Sequence, residues 1–75
     1  MLTKLMRYSI IIFEKFFKGC DFEIRNVYTL EYFEREKRAK FKIEFSDTNT
    51  NEYYYVIVVI DDNLKELCIY NFIHC

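Results

Sequence analysis

Apolar and polar positions follow one another in two rhythms along this chain, and the change of rhythm separates a helix from a set of strands. Leu2, Leu5, Met6, Ser9, Ile12, Phe13 and Phe16 recur at steps of three and four. That spacing places them on one side of a helix over about residues 2 to 18. Thr3 can serve as an early cap, and Gly19, the single glycine, stands where a helix closes on a left-handed residue. Ile11 falls on the opposite side among Lys4, Arg7, Glu14, Lys15 and Lys18, which makes it an expected exposed isoleucine and a mutagenesis target beside Tyr54.

From Phe22 the period becomes two. Phe22, Ile24, Tyr28, Leu30 and Tyr32 alternate with Glu23, Arg25, Thr29 and Glu31, predicting a long strand with one apolar face. The charged turn Glu34-Arg35-Glu36-Lys37 leads into a second alternating run, in which Ala39, Phe41, Ile43 and Phe45 are interleaved with Arg38, Lys40, Lys42 and Glu44. Ser46 to Asn51 is rich in Asp and Asn, residues that bond their own backbone and tolerate unusual angles, so it predicts a turn. A third strand, Tyr53 to Ile60, is apolar on both faces, which suits a central position or a face covered by something else.

After the turn Asp61-Asp62-Asn63, the remainder LKELCIYNFIHC supports two readings. As a strand it sets Leu67, Ile69 and Ile73 against Cys68, Tyr70 and Phe72. As a helix it is capped by Asn63 and turns Leu64, Leu67 and Cys68 inward. The strand is preferred. The expected architecture is a single α+β domain over residues 1–75, with one N-terminal helix packed on a three- or four-stranded antiparallel sheet and the C-terminal segment a strand or short helix. One sheet face is then left partly open, and such a face invites association.

Composition narrows the class. Hydrophobic residues make up 52% and aromatic residues 20% of the 75, so the chain can build a packed core. Eight Phe and seven Tyr supply much of the area a small core needs. The longest unbroken apolar run, Tyr53 to Ile60, is eight residues, well short of the roughly 20 that span a bilayer. The apolar stretch Ile10 to Phe13 is too short for a signal peptide, so no membrane association and a cytoplasmic location are expected. Cys20, Cys68 and Cys75, an odd number without framework spacing, fit reduced thiols. Phe, Tyr, Met, Ile, Asn and Lys total 38 residues against 6 for Gly, Ala, Arg and Pro, the bias of an AT-rich coding sequence in a low-GC bacterium or its phage.

Charge is divided along the chain although it sums to only −1. Residues 1–42 carry a net +4 and residues 43–75 a net −5. Five basic groups lie within residues 35–42, and Arg38, Lys40 and Lys42 share one strand face. With Arg35 they form a possible contact for nucleic acid or an acidic partner. Cross-strand Glu23 or Glu31 could neutralise them instead, and a pI of about 5.8 argues against dedicated nucleic-acid binding. Glu44, Asp47, Glu52, Asp61, Asp62 and Glu66 gather at the turns, in two patches at opposite ends of the third strand. They read as solvated turn acids or as surrogate phosphates. Of the three consecutive tyrosines, Tyr53 and Tyr55 are expected in the core and Tyr54 outside, where its polar-tipped ring suits an interface.

Catalytic chemistry has little to stand on. The only histidine, His74, is the penultimate residue, and no nucleotide-binding glycine loop is present. Cys20, Cys68, His74 and Cys75 contain no CxxC pair, so no metal, catalytic residue or cofactor is assigned.

The helix KLMRYSIIIFEKFFKG, the strand FKIEF, the turn SDTNTNEY and the strand YYYVIVVIDD form a helix-then-hairpin layout. It resembles that of small phage-encoded inhibitors of bacterial defence, the anti-CRISPR proteins in particular. The resemblance implies a non-enzymatic inhibitor in the host cytoplasm. It would bind a larger protein or ribonucleoprotein such as a CRISPR effector and block nucleic-acid access, guide loading or nuclease activation, often through acidic surfaces. The corresponding partner-binding set here is Glu44, Asp47, Glu52, Tyr54, Asp61, Asp62 and Glu66. Two other readings are a small nucleic-acid-binding regulator using the basic hairpin 35–42, and a homodimeric interaction module joined through the open sheet face.

Overall fold

The computed structural model describes residues 2–62 in full and residues 66–74 by their backbone and strand register. One helix, α1 (Leu2–Phe16), precedes four strands, β1 (Phe22–Phe33), β2 (Arg38–Asp47), β3 (Tyr53–Asp61) and β4 (Glu66–His74). The strands form an antiparallel meander in the order β1-β2-β3-β4. This is the expected α+β layout, with the C-terminal segment in its strand form.

α1 lies on one face of the sheet. Leu5, Ser9 and Phe13, at steps of four, are its buried positions. Ser9 sits midway with no exposed surface, and its hydroxyl donates to the Met6 carbonyl at 2.6 Å. A small side chain with its hydrogen bond satisfied inside the helix lets α1 approach the sheet closely. On the sheet, Ala39, Phe41, Ile43 and Phe45 of β2 and Val56, Val58 and Ile60 of β3 are buried. They divide into a cluster of Phe13, Ile43, Phe45, Val56 and Val58 under the C-terminal half of the helix and one of Leu5, Ala39, Phe41 and Ile60 under its start. The first is rich in rings. Phe45 meets Phe13 edge-on at 4.8 Å and stacks on Tyr54 at 5.6 Å, geometries that add to simple burial.

The end of α1 departs from the periodic stripe. Phe16 is 65% exposed, and Phe17, one residue past the helix, takes the inward place against Phe13, Phe22 and Phe45. The last helical turn opens at Phe17, whose amide still bonds the Phe13 carbonyl at 3.0 Å. Gly19 then adopts φ +88°, the left-handed closure expected of it.

β1 also corrects the alternation. Its ladder with β2 slips by one residue between Ile24 and Asn26 and again between Thr29 and Glu31, leaving Arg25 and Leu30 as β-bulge residues. Each slip reverses the inward phase. Phe22, Ile24, Val27 and Tyr32 therefore pack on the core clusters. Tyr28 and Leu30, expected inward, are exposed.

The β2–β3 turn is held by its own side chains. The Asp47 carboxylate accepts from the amides of Asn49 and Thr50 at 2.7 and 3.2 Å, and Asn51 takes φ 61°. Thr48 donates from both its amide and its hydroxyl to the Asp21 carbonyl at 2.9 Å, tying this turn to the start of β1. At the other end, the Asp62 amide bonds the Lys37 carbonyl at 2.9 Å and joins the two turns there.

Candidate functional site

With α1 on one face, the opposite face of the sheet has no layer over it among the described residues. Strand register arranges that open face in rows. From the β1–β2 turn they run Phe33, Arg38, Asp61, Glu66; then Glu31, Lys40, Val59, Cys68; then Tyr28, Lys42, Ile57, Tyr70; then Asn26, Glu44, Tyr55, Ile73; and last Glu23, Ser46, Tyr53. The β1–β2 half is charged. On β3 the face is aliphatic and aromatic except at Asp61.

Arg38, Lys40 and Lys42 do share a face, as their spacing predicts, but each stands beside an acid. Arg38 donates through Nε and Nη2 to Asp61 Oδ2, both at 3.3 Å. Lys42 Nζ lies 3.5 Å from Glu44 Oε2 and 4.5 Å from the centre of the Tyr55 ring. Lys40 is opposite Glu31 in the ladder. Arg35 lies apart, exposed in the β1–β2 turn. The row is thus largely neutralised, across the strands at Arg38 and Lys40 and along β2 itself at Lys42. A shallow hollow of about 230 Å³ opens at this end, lined by Glu31, Phe33, Arg38, Ala39, Lys40 and Val59.

The acidic residues lie at opposite ends of β3, as their positions in the sequence predict. Asp47 and Glu52 lie at one end of β3, Asp61 and Asp62 at the other, and Glu44 within β2. Each is engaged inside the molecule. Asp47 caps its own turn. Glu44 accepts from the Asn26 side-chain amide at 3.3 Å and from the Tyr28 hydroxyl. Asp62 pairs with Lys4 at 3.3 Å. That carboxylate, by hydrogen bond and by charge, raises the Lys4 ammonium above its ordinary pKa. Glu66 pairs in register with Asp61, and its side chain lies outside the described residues.

Tyr54 is on the helix side, reversing the expected order of the three tyrosines. β3 places Val56, Val58 and Ile60 inward, so the same parity carries Tyr54 in and turns Tyr53 and Tyr55 to the open face. Tyr54 stacks on Phe45, and its hydroxyl donates to Glu52 Oε2 at 2.9 Å. The hydrogen bond to a carboxylate pushes the phenol above its usual pKa. Glu44 does the same to Tyr28. Tyr53 is the outer one, at 54% exposure.

Tyr28, Leu30, Phe33 and Tyr53 are thus exposed large apolar groups that the sequence reading left out. A signal for the first two was present in Val27. Its position between Ile24 and Tyr32 fits no strict alternation and marks the slipped phase. Ile11 is exposed as expected.

Among the described residues, no three His, Cys, Asp or Glu side chains gather as metal ligands, and Cys20 is an exposed free thiol. The side chains of Cys68, His74 and Cys75 lie outside the described residues. No helix among the described residues is long and apolar enough to cross a membrane. Comparison with protein-family models, with curated proteins and with solved structures gave no match to this chain.

Proposed function

We propose that this chain is a non-enzymatic protein-binding domain, an inhibitor of the anti-CRISPR type that occupies a CRISPR effector through the open face of its sheet. One observation carries the reading. Tyr28, Phe33 and Tyr53 are exposed on or beside a face whose cations already have acidic neighbours. Protein interfaces are enriched in aromatic residues and keep charged residues toward the rim. A phosphate backbone would be better served by cations without such neighbours. The contact surface therefore moves from the acidic turns to the sheet, with Tyr53, Tyr55, Ile57 and Val59 at its centre and Lys40 and Glu31 on its rim.

The test is plasmid interference in a CRISPR-bearing low-GC bacterium expressing the protein. The wild type should restore transformation. Tyr53→Arg with Phe33→Arg should abolish the effect while preserving the fold, because both side chains are about half exposed and outside the buried core. Inhibition by the double variant equal to wild type would overturn the surface assignment, and unrelieved interference by the wild type would overturn the inhibitor reading. Steeply salt-dependent binding to nucleic acid would replace it with the regulator built on Arg35, Arg38, Lys40 and Lys42.

A further inference from the structure

The sheet has two edges, and they differ. β1 is broken by bulges at Arg25 and Leu30 and carries Glu23, Arg25 and Glu31, devices that keep an edge from pairing with another chain. β4 runs in unbroken register with β3 from Asp61↔Glu66 to Ile57↔Tyr70, with its single slip beyond Tyr70. From Leu67 to Ile73 it contains no charged residue and no proline. Its outer row of backbone groups has no partner strand among the described residues. An edge of this kind is a template for a further strand.

We propose that the outer edge of β4 is a self-association site, at which two copies join β4 to β4 in antiparallel fashion and double the four-stranded sheet. The sequence is suited to pairing with itself. Antiparallel pairing brings the start of one β4 to the end of the other, so Glu66 approaches His74 of the second copy and the uncharged stretch between them meets its own equivalent. The two-fold axis is normal to the sheet. Both open faces then lie on one side and both helices on the other.

The doubled face has a definite layout. The register positions of Val59 and Ile57 on β3 and of Cys68 and Tyr70 on β4 become a central strip of the joined sheet. The charged halves built from β1 and β2 lie outside it. An apolar centre with a polar rim is the arrangement of a protein-binding surface. The pairing itself does not depend on the function proposed above.

Light scattering of the full chain over a concentration series tests the proposal. A dimer is expected. Cys68→Lys and, separately, Tyr70→Lys should weaken self-association at least tenfold, with far-UV circular dichroism reporting the fold. Tyr53→Arg, on β3 away from the edge, should leave the dimer intact while abolishing partner binding, so the two readings fail separately. A monomer at every concentration, a dimer that survives both lysines, or one broken by Tyr53→Arg would overturn the edge pairing. Should both lysine variants unfold, hydrogen exchange on the wild type decides. Amide protection in residues 66–74 should rise with protein concentration, and concentration-independent protection would end the proposal.

Discussion

The two faces of the sheet are made from the same strands and often from adjacent residues, yet they are built on different principles. On the helix side, Ala39, Phe41, Ile43 and Phe45 have no exposed surface at all. One residue over on the same strand, Arg38, Lys40, Lys42 and Glu44 form the charged row of the open side, where pairs across and along the strands set the pattern. β3 does not follow this division. Val56 and Val58 are buried under the helix, while Ile57 and Val59, equally apolar, are mostly covered but keep part of their surface in solvent on the other side. Folding accounts for the first pair. It accounts for the second pair only in part, since each keeps some apolar surface in solvent.

The largest test of this contrast compares two isoleucines. Ile43→Ala, under the helix, should cost about 2–5 kcal/mol in denaturant unfolding, the loss seen when a fully buried side chain leaves a cavity. Ile57→Ala, at a partly exposed position, should cost less than Ile43→Ala and, on the reading proposed above, weaken partner binding as well. Equal losses at both sites would mean that the open face is structural core.

A smaller effect concerns the charged row. Lys42→Met removes the pair with Glu44, yet stability should change by no more than about 0.5 kcal/mol, as for other exposed ion pairs. A larger loss would make the row a structural element and not a solvated rim.

The smallest is spectroscopic and probes the boundary between the faces. Tyr54 donates to Glu52, and its pKa is raised from 10.0. The neutral phenol is the favoured form, so this bond's contribution is intact below pH 10 and fades as pH climbs through the raised value. Ultraviolet titration of Glu52→Gln should show that tyrosine ionising earlier than in the wild type. An unchanged titration would detach Tyr54 from Glu52.

Much of the fold was legible in the sequence because its signals are local. Period-two alternation in residues 38–45 needs only one buried face to be true, and Gly19 needs only a helix to close. The three tyrosines could not be placed that way. A run apolar at every position has no phase of its own, and Tyr54 turns inward only because β2 runs on through Ser46 and Asp47 and the turn of fixed length over residues 48–52 sets Tyr54 opposite Phe45. The local partners of the acidic residues were not legible for a related reason. Charge in a sequence does not reveal whether a cation or an amide will fold against it, and Asp47, Asp61 and Asp62 each met one. The exposed aromatics of β1 were hidden by bulges, which alternation cannot anticipate.

Those bulges also determine where the gene can lose a codon. Deleting Leu30 would close the second slip and leave Thr29 opposite Phe41 and Glu31 opposite Lys40, so every other residue of β1 would keep its side of the sheet. The same single-residue deletion within β2, between Arg38 and Phe45, would turn the remaining core residues on one side of the cut toward solvent. Length variation among descendants of this sequence should therefore be tolerated in its first strand and purged from its second.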